Sequence, residues 1–267
     1  METNFLSTIC DPITHDPLEI ETVPDSRGCK QESLVNQKTG KHFPIREGIP
    51  IFLENDAITG SNKKYQSMYD RFAPLYDFST SAYSHWKGMN VETRLREYLD
   101  ELEVKDGDRV LEVSVGTGRN LQFLPRGARY FGLDISWGML KQCQRNARKW
   151  NLDVALFMGN AEFLPFKNET FDVVFHFGGI NFFNDRAAAI REMIRVAKPG
   201  TKFVIGDENE DLAQRYENIP VMDGWYGNRA QAITAPIDLL PPEMQEVHVK
   251  DISGGDLYCL SFRKPKE

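Results

Sequence analysis

Short apolar runs at 109–113, 130–133, 154–158, 172–175 and 202–206 recur between segments of helical periodicity. Such runs, bounded by turn residues, read as buried strands. Helices are predicted to open at Asn120–Leu124, to cover 137–150 and to cover 186–197, the last closed by Lys198-Pro199-Gly200. Near the end, 245–252 and 257–263 flank Ser253-Gly254-Gly255-Asp256 and read as a hairpin. Five β-α units followed by a hairpin predict an α/β fold with a mostly parallel sheet and helices on both faces.

Two other textures precede that region. Residues 64–103 are helical in character with Pro74 as a break, and Val91, Leu95, Tyr98, Leu99 and Leu102 fall on one stripe. Residues 1–55 lack helical periodicity. They hold the turn pairs Asp11-Pro12, Pro24-Asp25, Arg27-Gly28 and Thr39-Gly40 and end in an apolar run that finishes at Leu53. That predicts a small β-rich domain over 1–55, a polar linker near 54–63, and a larger domain over 56–267.

Composition narrows the function. Of 267 residues, 41% are apolar and 27% charged, the balance of a globular chain. The net charge of −7 disfavours a nucleic-acid scaffold, because an acidic surface repels phosphates. The longest apolar stretch without charge, 173–184, has 12 residues, short of the roughly 20 that cross a bilayer. The N-terminus has neither a basic start nor a long apolar core, so no signal peptide is expected. Cys10, Cys29, Cys143 and Cys259 are scattered, which fits reduced thiols and a cytoplasmic location.

The strongest chemical signal is Val110-Leu-Glu-Val-Ser-Val-Gly-Thr-Gly-Arg-Asn120. A buried strand carrying Glu112 runs into a turn of small residues. Gly116 and Gly118 there let the backbone approach a ligand where a Cβ would collide. Asp134 follows at the end of the second strand, placed to accept hydrogen bonds from a ribose diol. A nicotinamide phosphate loop, Gly-x-Gly-x-x-Gly, does not fit, since its third glycine would fall on Leu121.

This set resembles class I S-adenosylmethionine-dependent methyltransferases over roughly residues 64–263. Ser114 stands where the pattern has its first glycine. Met158-Gly-Asn-Ala-Glu-Phe-Leu-Pro-Phe166 resembles the family's adenine segment, and Tyr69-Asp-Arg-Phe-Ala-Pro-Leu-Tyr-Asp77 its N-terminal helix. Tyr76-Asp77, Ser81 and the His85-Trp86 pair are similar to the ubiquinone/menaquinone C-methyltransferase group. So is Phe177-Gly-Gly-Ile-Asn181, with Ile180 where that group has arginine.

The resemblance implies a Rossmann-like seven-stranded sheet of order 3-2-1-4-5-7-6 with the last strand antiparallel. S-adenosyl-L-methionine is the implied cofactor, with S-adenosyl-L-homocysteine as product. Its implied binding set begins with Tyr69, Tyr76, Glu112, Ser114, Gly116 and Thr117, and continues through Gly118, Asn120, Asp134, Ile135 and Met139. Asn160, Ala161, Glu162, His176 and Phe177 complete it. His176 is the candidate general base. Gly178, Asn181, Trp225 and Tyr226 are candidates for contact with a small-molecule acceptor, methylated on oxygen, carbon or nitrogen.

Phe43-Pro-Ile-Arg-Glu-Gly-Ile-Pro50 gives the N-terminal stretch its own resemblance, to the zinc-ribbon-like domain found alone as a methyltransferase activator and also fused to methyltransferases. The metal-binding version carries paired cysteines. Here Cys10 holds one expected place, while the second pair falls on Asn36 and Thr39. Cys10, His15, Cys29 and His42 have no zinc-type spacing, so the domain is expected to fold without metal. Two other function classes stay open: a cofactor-binding partner without activity, and an RNA methyltransferase with the N-terminal domain as RNA reader.

Overall fold

The computed structural model of this chain describes residues 5–24, 30–53, 59–86, 88, 90–217 and 232–267, apart from the side chains of 72, 74–76 and 78–86. Strands β1 (Glu19–Pro24), β2 (Lys30–Asn36), β3 (Lys41–Arg46) and β4 (Ile49–Pro50) form an antiparallel sheet in that order. The loops at its end are tied by a polar knot. Buried Asn36 donates to Asp11 at 2.8 Å and to Thr14 at 3.0 Å, and its carbonyl oxygen accepts from the Lys38 and Thr39 amides. Cys10 is buried while His15 and His42 are exposed, and Cys29 lies outside the described residues. Among the described residues no His, Cys, Asp or Glu group is arranged to hold a metal.

The larger sheet contains β5 (Arg109–Val113), β6 (Arg129–Asp134), β7 (Val154–Met158), β8 (Phe171–Phe177), β9 (Ala197–Glu208), β10 (Gln245–Ile252) and β11 (Leu257–Arg263). Its order is β10-β11-β9-β8-β5-β6-β7, with β11 antiparallel to both neighbours and β5 to β9 parallel. This is the predicted topology. Helix α1 (Gly60–Trp86) precedes α2 (Val91–Leu99), α3 (Trp137–Trp150) joins β6 to β7, α4 (Arg186–Val196) joins β8 to β9, and α5 (Glu210–Glu217) follows β9. Ser136 and Asp185 cap α3 and α4, accepting from the Met139 and Ala188 amides.

The two faces of the sheet hold separate apolar clusters. Leu95, Tyr98 and Leu99 of α2 and Leu140 and Cys143 of α3 cover one face. Ala189, Ile190, Met193 and Val196 of α4 cover the other. Ile9, Leu18, Leu34, Phe43 and Phe52 of the N-terminal sheet belong to that second cluster, beside Phe131, Phe157 and Phe166. The small sheet therefore shares a core with the large one. It also extends its edge, since the Phe52 amide donates to the Met158 carbonyl at 2.8 Å and Ile51 bridges Met158 in parallel.

Four expectations need correction. The predicted linker overlaps α1, which starts at Gly60. That helix also runs through Pro74 without a break: a proline removes one amide donor, and side-chain contacts from residues 62 to 77 hold the helix on both sides of it. The region after Gly118 is only a 3-10 turn over Asn120–Phe123, because Pro125 follows at once. No helix joins β7 to β8, so the count of five β-α units was too high; the connection lies close against the sheet, its Lys167 amide bonded to the Thr8 carbonyl.

Candidate active site

One cavity opens at the C-terminal ends of β5 to β9 and encloses about 1240 Å³, its open mouth included. Open α/β sheets bind ligands at this edge, where neighbouring connections leave on opposite faces. Here the β5 and β8 connections diverge.

The turn after β5 forms the cavity floor. Ser114 (φ +60°), Gly116 (φ +54°) and Gly118 (φ +75°) are all left-handed. That backbone explains why the resembling pattern has glycine at all three positions, and Ser114 accepts the strain. A Cβ on Gly118 would stand 2.6 Å from Cys143 Sγ, so this glycine lets α3 pack against the turn and does not line the cavity. A Cβ on Gly116 would meet nothing within 4 Å and would project into open space.

Asp134 ends β6 and ties the turn to α3. Its carboxylate accepts from the Gly116 amide at 2.8 Å and the Ser136 amide at 2.9 Å. Burial pushes its pKa from 3.8 to about 6, against the two amide bonds and with help from Asp70. Glu112 is deeper still, 1% exposed, with Oε1 accepting from Asn120 at 2.5 Å. Its Oε2 is buried without a hydrogen-bond partner among the described residues. Burial holds this carboxyl well above the usual carboxylate range; Asn120 opposes that shift and Asp134 adds to it. Tyr98 donates to Asn120 and stacks on Phe177 with centroids 3.7 Å apart. Gly206 makes room for that stack, since a Cβ there would lie 2.4 Å from the Phe177 ring.

Past β7, Asn160 and Ala161 line the cavity, and Asn160 Oδ1 accepts from the Glu162 amide. Helix α1 crosses the mouth on a polar face. Asn62 donates to Glu162, Gln66 to the Ile135 carbonyl, and Asp70 accepts from Ser136 Oγ and the Gly138 amide. One helical face further on, Asp77 accepts from Thr117 and Asn146. The bonds of α1 thus reach the segments that follow β5, β6 and β7.

Of the expected residues, Tyr69, Ser114, Thr117, Ile135, Met139, Phe177 and Gly178 line the cavity with Glu112, Gly116, Asn120, Asp134, Asn160 and Ala161. Glu162 lies behind the lining, held by Asn62 and the Asp185 amide. Asn181 also lies behind it, its amide donating to Asp207. The Tyr76 side chain, Trp225 and Tyr226 fall outside the described residues.

His176 is the clear correction. It is fully buried, does not line the cavity, and its Nδ1 donates to the Val113 carbonyl at 2.9 Å. Side chains alternate along a strand, and the register of β8 turns Phe177 toward the cavity and His176 toward the α4 side. Burial lowers its pKa below the ordinary 6.5, with Asp207 opposing. A general base at this position has no access to an acceptor.

Several lining residues escaped the sequence. Tyr65 stacks on Phe182 at 4.3 Å, Phe183 lies beside them, and Glu208 ends β9 at the same edge. Arg94 and Arg119 also line the cavity. Glu208 was within reach of the strand-end rule that found Asp134. Tyr98 read as one more residue of an apolar stripe.

Residues 111–205 match the family model described as a methyltransferase domain. The chain is 34% identical over 143 residues to a demethylmenaquinone methyltransferase of Renibacterium salmoninarum, covering 53% of this chain and 57% of that protein. It thus spans little more than half of that relative's length. The structure is similar to the [4+2]-cyclase SpnF, with TM-score 0.62, 17% identity and coverage of 78% of this chain and 98% of the other. It is also similar to a chain from the Haloferax volcanii complex containing the Trm112 methyltransferase activator, with TM-score 0.54, 18% identity and coverage of 74% and 97%. By sheet order, strand direction and these likenesses, the seven-stranded unit of this chain has the Rossmann-like methyltransferase fold.

Proposed function

We propose that this chain binds S-adenosyl-L-methionine and transfers its methyl group to a small-molecule acceptor. The observation that carries the proposal is the Asp134 carboxylate, bonded to the glycine-turn amide and buried at the cavity wall. When bound, the cofactor supplies a methyl group already activated on a sulfonium centre.

The chain's own residues would bind, orient and shield. Asp134 would accept from the ribose hydroxyls, and Asn160 and the Ala161 amide would meet the adenine, with Ile135 and Met139 beside it. Glu112 has an unpartnered buried oxygen next to Asn120, suited to the cofactor's ammonium group. The strand order β7-β6-β5-β8-β9 lays these contacts out over about 19 Å, at roughly 4.8 Å per strand. Adenine would then lie over β7, ribose over β6 and the methionine end over β5, leaving β8 and β9, with Gly178 and the aromatic wall, for the acceptor. Catalysis would come from alignment and exclusion of water.

The fold alone does not carry this activity, since a cyclase is among its likenesses. Turnover is the test: S-adenosyl-L-homocysteine should accumulate with an acceptor and not without one. A protein that binds the cofactor and methylates nothing across amine, phenol and thiol acceptors would be a non-catalytic binding partner. We further propose that the N-terminal sheet acts as a fixed brace for the adenine segment. It holds Met158 at one end through Phe52 and Pro165 at the other through the Cys10 amide.

A further inference from the structure

Among the described residues three carboxylates line the cavity, and the cofactor proposed above would engage two of them. Glu112 and Asp134 lie over β5 and β6. The third, Glu208, lies elsewhere. The sheet register aligns Glu112 with Phe175 and Phe175 with Val204. Glu208 is therefore two strands across from Glu112, about 10 Å, and four residues further along, about 13 Å. It shares a sheet face with Phe177 and sits at the acceptor end.

The walls around it are aromatic. Tyr65 and Phe182 stack at 4.3 Å, and Phe183 lines the same end. Glu208 lines the same cavity as this ring pair, and Asn181 of the Phe182 loop donates to the Glu208 carbonyl at 3.4 Å. The Tyr65 hydroxyl is pushed up to about 12 by burial first and by the Glu208 charge second. The loop that carries Phe182 is fixed by buried Asp207, which accepts from the Gly179, Asn181 and Glu208 amides at 2.9–3.1 Å. Aromatic faces and a carboxylate both attract a cation, and in a partly desolvated site the two effects reinforce each other.

We propose that the methyl acceptor is a small amine with an apolar body, bound as its ammonium ion between the Glu208 carboxylate and the Tyr65, Phe182 and Phe183 rings. The inference rests on the methyl-transfer proposal and adds the acceptor's chemical class. Before transfer the ammonium gives its proton to water by way of Glu208, helped by the neighbouring sulfonium charge, which lowers the amine's pKa. The nitrogen lone pair then forms the C–N bond as the C–S bond breaks. Sulfur keeps that electron pair as a thioether, and the positive charge passes from sulfur to nitrogen. Glu208 is on the side where charge develops, the position from which a fixed carboxylate favours the transition state.

The test uses the full chain loaded with S-adenosyl-L-homocysteine and measures calorimetric binding of four probes. These are 2-phenylethylamine, the neutral 2-phenylethanol, the anionic 3-phenylpropionate and 1,4-naphthohydroquinone. The amine is expected to bind at least tenfold more tightly than each of the others. Glu208→Gln should bring amine and alcohol within twofold while leaving S-adenosyl-L-homocysteine affinity unchanged. Tightest binding of the anion would assign the acceptor to Arg94, and tightest binding of the hydroquinone would assign a quinol; either overturns the proposal. So does an amine preference that survives Glu208→Gln, or the absence of any preference. If Glu208→Gln does not fold, the four-probe ranking on the unmodified chain still decides. Failure of S-adenosyl-L-homocysteine itself to bind would instead defeat the underlying methyl-transfer proposal.

Discussion

Asp134 joins the sequence, the fold and the proposed chemistry in one carboxyl group. Its pKa near 6 lies above the ordinary 3.8, so the folded empty protein holds a proton there that the unfolded chain has lost. Between about pH 4 and pH 6 the folded state binds more protons, and this group's contribution to stability falls as pH rises through that window. A ribose diol donates to the ionised form. Affinity for S-adenosyl-L-homocysteine should therefore drop about tenfold per pH unit below pH 6, as titration calorimetry from pH 5 to 8 would show. A flat profile would mean that Asp134 does not meet the ribose. Ser114 offers a second test. A non-glycine residue at φ +60° carries about 1–2 kcal/mol of strain, partly offset by the extra freedom glycine gives the unfolded chain. Ser114→Gly should raise stability by about 0.5–1 kcal/mol in denaturant melts. Both positions were legible because glycine turns and strand-end acids have a local chemical cause. His176 was misread because its side of the strand depends on the register of β8 against β5, a long-range fact.

Among the elements, α1 departs furthest from what the sequence showed. Periodicity of apolar residues identifies helices that bury a stripe, and it found α2 and α3 well. Helix α1 instead docks through polar side chains at 62, 66 and 70, one helical turn apart, with 77 further along. No apolar pattern marks such a face, so its start and its passage through Pro74 were missed. Hydrogen bonds of this kind contribute about 0.5–1.5 kcal/mol each. Asp70 accepts two, so Asp70→Ala should loosen the helix by about 1–3 kcal/mol. Amide exchange over residues 62–70 should accelerate by about five- to 150-fold, while exchange in β5 and β6 stays unchanged. Equal acceleration throughout the sheet would show that α1 is not a separable cover.

At the scale of the molecule, two sheets share one core, and the smaller sheet clasps the segment after β7 that lines the cavity. Fold class was legible because the parallel strands carry apolar runs, the hairpin because a glycine-rich turn separates β10 from β11, and the strand order because the methyltransferase resemblance implies it. The clasp was not, since Phe52 to Met158 and Cys10 to Pro165 are backbone bonds with no side-chain signature. Removing residues 1–55 uncovers Phe157 and Phe166, which now pack against Phe5 and Ile9. The remainder should bind more hydrophobic dye and melt lower than the full chain. An unchanged melting temperature would contradict a shared core. The Asp11–Asn36 knot joins the loops that carry metal ligands in the resembling ribbon domains. Metal analysis of the purified chain should find well under one zinc per molecule, whereas stoichiometric zinc would make Cys10 a ligand.

Whether the cavity is an S-adenosyl-L-methionine site is decided by a calorimetric comparison of S-adenosyl-L-homocysteine with NAD on the full chain, repeated with Asp134→Ala. Saturable one-site binding of S-adenosyl-L-homocysteine is expected, and none of NAD. Asp134→Ala should lose about 1.5–3 kcal/mol, the scale of hydrogen bonds to a charged group. Binding of NAD without S-adenosyl-L-homocysteine, or full affinity in Asp134→Ala, would contradict that assignment.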